Sequence, residues 1–133
     1  MSHYLTFDIG TTALKSALIS SEGRLLALHT SEYTLRAPHP DRAEMSPETY
    51  WRAAIEGARA VYVTAGAAPR ALAAIGFSSQ GQSFIPIDRA GRPLHDAIVW
   101  VDSRAQAIAE EWEAAWLSRE EYRRISGYAW IPA

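Results

Sequence analysis

The residues best suited to chemistry lie near the N-terminus, at positions 8–15. The segment reads Asp-Ile-Gly-Thr-Thr-Ala-Leu-Lys and follows an apolar run typical of a strand. Backbone N–H groups at a tight turn can surround an anion, and a glycine there permits positive φ and close approach of a ligand. Threonine hydroxyls are further donors, a lysine is a point charge, and a carboxylate with water suits Mg²⁺. The segment therefore predicts a phosphate-binding turn in which Asp8 holds Mg²⁺ through water and in which the other participants are Gly10, Thr11, Thr12 and Lys15.

Lys15 stands out because it is the only lysine in the chain. In a protein whose other basic side chains are arginines, a lone compact ammonium group favours a specific role. The alternative for the whole segment is a plain β-hairpin in which Asp8 and the threonines satisfy the turn backbone. Neither the P-loop pattern nor the dinucleotide fingerprint occurs in the sequence.

A second polar segment follows a predicted buried strand. Residues 76–82 read Gly-Phe-Ser-Ser-Gln-Gly-Gln. Gln80 and Gln82 are candidates for contact with a ligand, because amides both donate and accept hydrogen bonds. They are alternatively ordinary loop amides.

A third segment, residues 88–104, begins with a turn and ends in Trp-Val-Asp-Ser-Arg. Trp100 is either the wall of a pocket or part of the core. Asp102 precedes a predicted helix, so it is a ligand contact, an N-cap, or both. For Arg104 we favour an ion pair with a nearby carboxylate over contact with substrate.

Hydrophobic periodicity and turn residues predict the elements that position these segments. They are strands at 3–8, 13–19 and 24–34, a helix at 47–65, a buried strand at 71–77, a short strand at 84–87, an extended piece at 97–100, and helices at 103–117 and after Ser118. Ser46 and Gly66 bound the first helix as N-cap and C-terminal stop. Trp112 and Trp116 recur at helical spacing, which predicts that both are core residues.

The order of these elements predicts an α/β fold. Three short-connected strands indicate an antiparallel meander, and the next strand is expected to join the first. This is the ribonuclease H-like arrangement shared by actin, heat-shock chaperones and hexokinases: a mixed sheet with an antiparallel three-strand start and flanking helices. We expect one domain over residues 1–133.

Composition excludes several classes of function. The net charge of -2 gives no electrostatic reason to expect nucleic acid or an anionic membrane. No cysteine is present, so disulfides and thiolate–zinc sites are excluded. No apolar run reaches the roughly 18 residues of a membrane helix, and no secretory signal is recognisable. The expected compartment is the cytoplasm.

Taken together, the three segments resemble the FGGY family of carbohydrate kinases. The segment 8–15 resembles the family's first phosphate motif. Residues 88–104 resemble its second hallmark, and residues 76–82 occupy the place of a strand that enters the substrate pocket. The resemblance runs in order over essentially the whole chain.

The resemblance implies roles only where residues match. It implies contact with the phosphates of ATP and with Mg²⁺ for these residues: Asp8, Gly10, Thr11, Thr12 and Lys15. It implies contact with a sugar for Gln80, Gly81 and Gln82. Trp100 is expected to face the sugar and Asp102 to bond its hydroxyls. Tyr128 and Trp130 lie near where relatives complete the pocket.

The implied activity is transfer of the γ-phosphate of ATP to a ketose or polyol. Gln80 resembles the glutamine that pentulose kinases carry in this segment, which favours a pentulose as the substrate. Gly81-Gln82 matches neither the Met-His of xylulose kinases nor the Arg-Glu of glycerol kinases, so the sugar stays open. The partner is a small molecule, and the oligomeric state is open, a homodimer included.

Transfer needs a base that deprotonates the sugar hydroxyl. In FGGY kinases this base is an Asp that the resemblance places beyond Ala133, as it does the adenine site. Residues 1–133 are therefore expected to be an incomplete N-terminal domain with no catalytic residue and no activity alone.

Three alternatives stay open. A nuclease on the same fold would need several carboxylates beside Asp8 to hold two metals, with Glu44, Glu48 and Asp88 as the candidates. A non-catalytic module would bind sugar or serve assembly. An actin- or chaperone-like ATPase shares the phosphate turn but does not account for Trp100.

Overall fold

The computed structural model describes residues 2–129 and opens with an antiparallel meander. It consists of β1 (His3–Ile9), β2 (Ala13–Ser20) and β3 (Leu25–Glu32). Side chains alternate between the two faces of the sheet, and the register pairs Leu5 with Leu18 on one face. The predicted three-strand start is confirmed.

Helix α1 (Pro47–Ala65) covers this face, chiefly over β2 and β3. Its bounds are those that the sequence predicts. Ser46 is extended at the N-cap position without a side-chain cap bond, and Gly66 ends the helix in the left-handed conformation at φ 59°. The core between helix and sheet contains Leu5, Phe7, Leu14, Leu18, Ala27, Ala53 and Val61. Full burial of one such large side chain contributes roughly 2 kcal/mol.

Strand β5 (Leu72–Ser79) follows a single 3₁₀ turn, Pro69–Ala71, and pairs in parallel with β1. The sheet order is therefore β3-β2-β1-β5, as the ribonuclease H-like prediction requires. The register places Ile9 beside Ser79, so the β1–β2 turn and the Gln80 segment leave the sheet side by side.

The prediction that this strand is buried is wrong for the described chain. Ile75 is 49% exposed and Phe77 is 71% exposed, although Phe77 stacks on Phe7 at 5.5 Å between ring centroids. The reason is position, since β5 forms the edge of the sheet and α1 lies over β2 and β3.

A smaller two-stranded sheet lies beside the meander. It pairs β4 (Glu44–Met45) with β6 (Ala97–Ile98) in antiparallel fashion. The expected strand at 84–87 is wrong, because Phe84 and Ile87 form only isolated bridges. Pro86 interrupts it, since proline has no N–H to give to a ladder.

The chain ends in two helices, α2 (Gln106–Ala115) and α3 (Arg119–Ser126). The Ser118 hydroxyl accepts the N–H of Glu121, which confirms the predicted cap of α3. Trp112 and Trp116 are 60% and 85% exposed, so their assignment to the core is wrong. Their spacing marks the apolar face of α2, and within residues 2–129 no strand or helix packs extensively on it. None of the helices described here is long and apolar enough to cross a membrane.

Candidate functional site

The turn between β1 and β2 is held from both sides and leaves two amides unused. The N–H of Gly10 donates to the Ala13 carbonyl at 2.9 Å, closing the hairpin. Tyr33 donates its hydroxyl to the Gly10 carbonyl at 2.7 Å and its N–H to the Thr12 carbonyl at 2.9 Å. Within residues 2–129 the N–H groups of Thr11 and Thr12 have no acceptor. Two adjacent free amides are the donor set that an anion-binding turn needs.

Glycine is needed at position 10 for a different reason from the one that the sequence suggests. Its φ is not positive, so the expected left-handed conformation is wrong. A Cβ at this position would lie 2.9 Å from the Ala13 carbonyl oxygen. Glycine is required because the hairpin backbone approaches itself too closely for a side chain.

Asp8 and Lys15 lie next to each other on adjacent strands. They are register partners on β1 and β2, and Ser78 of β5 lies on the other side of Asp8. Both side chains are exposed on the sheet face opposite α1. They border an open pocket of about 440 Å³ that Thr6 and Phe77 also line.

The hydroxyl of Thr11 joins the β1–β2 turn to both later segments. It donates to Oε1 of Gln80 at 2.9 Å and accepts the indole N–H of Trp100 at 2.9 Å. The backbone N–H of Gln80 also donates to the Ile9 carbonyl at 2.9 Å. Trp100 is 40% exposed, so it is not a core residue. Three segments that are far apart in the sequence therefore meet at one hydroxyl.

Gln80 also borders a second open pocket, of about 270 Å³, on the α1 side of the site. Its Nε2 donates to the hydroxyl of Tyr50, and the Ser83 hydroxyl accepts the N–H of Trp100, both at 3.0 Å. Gly81 and Gln82 are exposed in the connecting turn, and Gln82 is left-handed at φ 60°. A non-glycine residue in that conformation is uncommon and often lies at functional sites.

Asp102 is buried and bound to protein groups. The residue is 1% exposed, and its carboxylate accepts the N–H of Ala43 at 2.8 Å and the N–H groups at Nε and Nη2 of Arg104 at 2.7 Å. Arg104 also reaches Glu44 at 2.7 Å, which confirms the expected ion pair. Helix α2 has Ala105 at its N-cap, so Asp102 is not the cap. Contact of Asp102 with a sugar stays a prediction.

Electrostatics in this cluster follow from Arg104. Its hydrogen bonds hold the pKa of Asp102 at about 2, against the opposing effect of burial. They likewise lower the pKa of Glu44. All three groups therefore stay charged at neutral pH, and the cluster ties the residues flanking Trp100 to β4.

Two tyrosines at the site were missed from the sequence. Tyr33 and Tyr50 pack edge to face at 5.4 Å between centroids beneath the turn. Burial, with smaller effects of Tyr50 and Asp8, raises the pKa of Tyr33 to about 12, so it remains a hydrogen-bond donor. The available signal was that Tyr33 directly follows β3, opposite the predicted turn. Of the later candidates, Tyr128 is 67% exposed, and Trp130 lies outside the described residues.

Two of the three carboxylates named for a nuclease, Glu44 and Asp88, bind other protein groups. Glu44 binds Arg104, and Asp88 binds the backbone N–H groups of Ala90 and Arg92 in its own turn. Residues 2–129 contain no group of three or more His, Cys, Asp or Glu placed to hold a metal ion. The two-metal arrangement therefore finds no support in the described part of the chain.

Comparison with known proteins agrees with this geometry. The model of the "FGGY family of carbohydrate kinases, N-terminal domain" matches residues 3–132. A glycerol kinase of Albidiferax ferrireducens is 33% identical over 119 residues, which are 89% of this chain and 24% of that protein. A glycerol kinase of Thermococcus gammatolerans is 32% identical over 82% of this chain and 22% of its own length.

Solved structures give the same result. A xylulose kinase from Brucella ovis superimposes with a TM-score of 0.85 at 27% identity, over 98% of this chain and 26% of that one. A xylulose kinase from Lactobacillus acidophilus gives 0.78 at 26% identity, over 86% and 23%. The chain thus spans about a quarter of the length of these relatives. Because the family model covers residues 3–132, this chain belongs to the FGGY family of carbohydrate kinases.

Proposed function

We propose that this chain is the N-terminal part of an ATP-dependent kinase that phosphorylates a hydroxyl of a ketose or polyol. The observation that carries the proposal is the meeting of Gln80 and Trp100 at the hydroxyl of Thr11. It brings an anion-binding turn and a pocket with amide and aromatic groups within one hydrogen bond of each other. Phosphoryl transfer requires that donor and acceptor be held together in this way.

On the nucleotide side, the free N–H groups of Thr11 and Thr12 are the proposed phosphate donors. Lys15 adds positive charge beside Asp8. An exposed carboxylate next to free amides fits a hydrated Mg²⁺, which keeps several waters and takes few protein ligands. When bound, Mg²⁺ neutralises charge on the phosphate oxygens.

On the sugar side, Gln80, Gly81, Gln82 and Trp100 are the proposed contacts. One amide hydrogen of Gln80 remains for a sugar oxygen, since the other goes to Tyr50. The 40%-exposed indole of Trp100 offers an apolar face to the sugar ring or chain. Asp102 enters the proposal by holding the segment of Trp100 in place, because its carboxylate is buried on Arg104.

Among substrates, a pentulose is proposed on the strength of Gln80. The relatives include both glycerol kinases and xylulose kinases, so a polyol is the competing class. The general base is proposed to be an Asp beyond Ala133, which predicts that residues 1–133 alone do not turn over ATP. The dependence on ATP favours the cytoplasm as the compartment.

The test is release of ADP from MgATP by the full-length protein, measured with D-xylulose, other ketoses and glycerol. We expect saturable turnover with one of them, and none from residues 1–133 alone. Sugar binding without nucleotide binding or turnover would overturn the kinase proposal in favour of a non-catalytic sugar-binding module. Turnover by residues 1–133 alone would overturn the placement of the base.

A further inference from the structure

The direction of the hydrogen bonds around Thr11 is fixed by chemistry. An indole N–H can only donate, so the Thr11 oxygen must accept from Trp100. The single proton of the Thr11 hydroxyl then goes to its other neighbour, Oε1 of Gln80. Trp100 therefore donates to Thr11, and Thr11 donates to Gln80.

The orientation of the Gln80 amide decides where the Thr11 proton goes. Its oxygen, which can only accept, is turned to Thr11, and its nitrogen faces the hydroxyl of Tyr50 at 3.0 Å. A flipped amide would donate to the second lone pair of the Thr11 oxygen and accept from Tyr50, which would release the Thr11 proton. Tyr50 is half-buried on α1 and packs against Tyr33, which itself holds the Gly10 carbonyl. The amide is thus fixed at both ends.

This arrangement has a consequence for the phosphate turn. The Thr11 hydroxyl has no proton left for a phosphate as long as Gln80 and Trp100 keep their positions. A sugar that draws Gln80 or Trp100 toward itself must lengthen a bond to Thr11 and so change the turn that carries the free amides. Conversely, a nucleotide that orders the turn acts on Gln80 and Trp100 through the same two hydrogen bonds.

We propose that the Thr11 hydroxyl couples the nucleotide turn to the sugar pocket, so that occupancy of either site changes the affinity of the other, and that Tyr50 is the positioning residue of this link. The proposal rests on the kinase function proposed above. Coupling between two binding sites is reciprocal, and typical values correspond to 5- to 150-fold changes in affinity, so an effect of about fivefold or more is expected.

The test is calorimetric titration of the full-length protein with the magnesium complex of a non-hydrolysable ATP analogue, with and without saturating D-xylulose or glycerol. The ratio of the two dissociation constants is the coupling factor. We expect Thr11→Val to bring this factor to about one, while Thr11→Ser, which keeps the hydroxyl, retains it. Tyr50→Phe keeps the ring but frees the Gln80 amide to flip, and it should reduce the factor.

Two controls separate coupling from simple damage. Thr64→Val removes an exposed hydroxyl near the far end of α1 and should change neither affinities nor coupling. Thr12→Val should alter nucleotide affinity but keep the coupling factor, since within residues 2–129 the bonds to Gln80 and Trp100 are made by the hydroxyl of Thr11 and not by that of Thr12. A loss of coupling in Thr11→Val with both ligands still bound is a result that a purely structural role would not produce.

The outcomes also separate the two proposals. If nucleotide and sugar both bind the wild type and the coupling factor is one, the coupling is overturned and the kinase function stands. If Thr11→Val keeps the wild-type factor, Thr11 is not the link. If the wild type binds no nucleotide, both proposals are overturned.

Discussion

The indole nitrogen of Trp100 lies 2.9 Å from the hydroxyl of Thr11, a residue 89 positions earlier in the chain. This bond crosses from the small β4–β6 sheet region to the turn of the main sheet. Neither residue is fully buried, so the bond is not a by-product of core packing. It holds the Trp100 segment in a fixed position relative to the β1–β2 turn.

Trp100→Phe removes this donor and leaves an aromatic ring. A hydrogen bond between neutral groups contributes about 1 kcal/mol net, so under the proposed function KM for the sugar is expected to rise about fivefold in the full-length protein. Steady-state kinetics with varied sugar provide the measurement. Trp51→Phe, at a side chain that is 63% exposed on α1, is the matched control and should leave KM unchanged. An unaltered KM in the Trp100 variant would contradict the assignment of this residue to the pocket.

Arg104→Met leaves the carboxylates of Asp102 and Glu44 buried without their cation. Breaking such a buried cluster from one side typically costs about 3–5 kcal/mol of unfolding free energy. Urea denaturation monitored by circular dichroism gives this value directly. Arg124→Met removes a pair that is 3.7 Å long and solvent-exposed, and it should cost less than about 0.5 kcal/mol. Equal effects of the two substitutions would show that the buried cluster is not structural.

Stability is expected to depend on pH through Asp102. Its folded pKa of about 2 lies below the ordinary value of 3.8 because Arg104 binds the charged form. The carboxylate therefore contributes stability that is fully present above the unfolded pKa and is lost as the pH falls through the folded pKa. The contribution is about 2 kcal/mol. Between about pH 5 and pH 2, the unfolding free energy obtained from denaturation curves should depend less on pH in Asp102→Asn than in the wild type. An equal pH dependence in the two proteins would refute this origin.

Gly57→Ala is expected to destabilise the chain even though alanine is the better helix former. The added Cβ would overlap the Ser16 hydroxyl, which is fully buried under α1. Overpacking of this kind costs about 1–3 kcal/mol and outweighs the gain of up to about 1 kcal/mol in helix propensity. The double variant Gly57→Ala/Ser16→Gly restores the space and should recover most of the loss. Thermal unfolding of the two variants side by side decides the question.

The first helix was predictable to the residue because its ends carry local signals. Pro47 at its first turn and Gly66 in the left-handed conformation after its last act through their own backbone geometry, independent of the rest of the fold. The same is true of the cap at Ser118. The pairing of β5 with β1 was predicted from the order of strands and helices along the chain, which is the ribonuclease H-like order, and not from any single residue.

Burial was less predictable, because periodicity identifies an apolar face but not what covers it. Trp116 and Phe77 have the expected spacing, yet they face solvent in the described chain. Inside the site, residue types predicted the turn between β1 and β2, and phosphate binding there stays a prediction. The partners of the Asp102 carboxylate are Arg104 and Ala43, which the sequence does not place. The sequence did not identify Tyr33 and Tyr50 as site residues for the same reason, because their roles depend on the groups that they contact.

The parallel pairing of β5 with β1 also determines when the site comes together during synthesis. Local hairpins close quickly, whereas contacts between distant residues must wait for the intervening chain. The meander can form as soon as β3 has left the ribosome, whereas Gln80 is synthesised 69 residues after its partner Thr11 and Trp100 is synthesised 89 residues after Thr11. The turn between β1 and β2 is thus built first and receives its two partners in order, the amide before the indole.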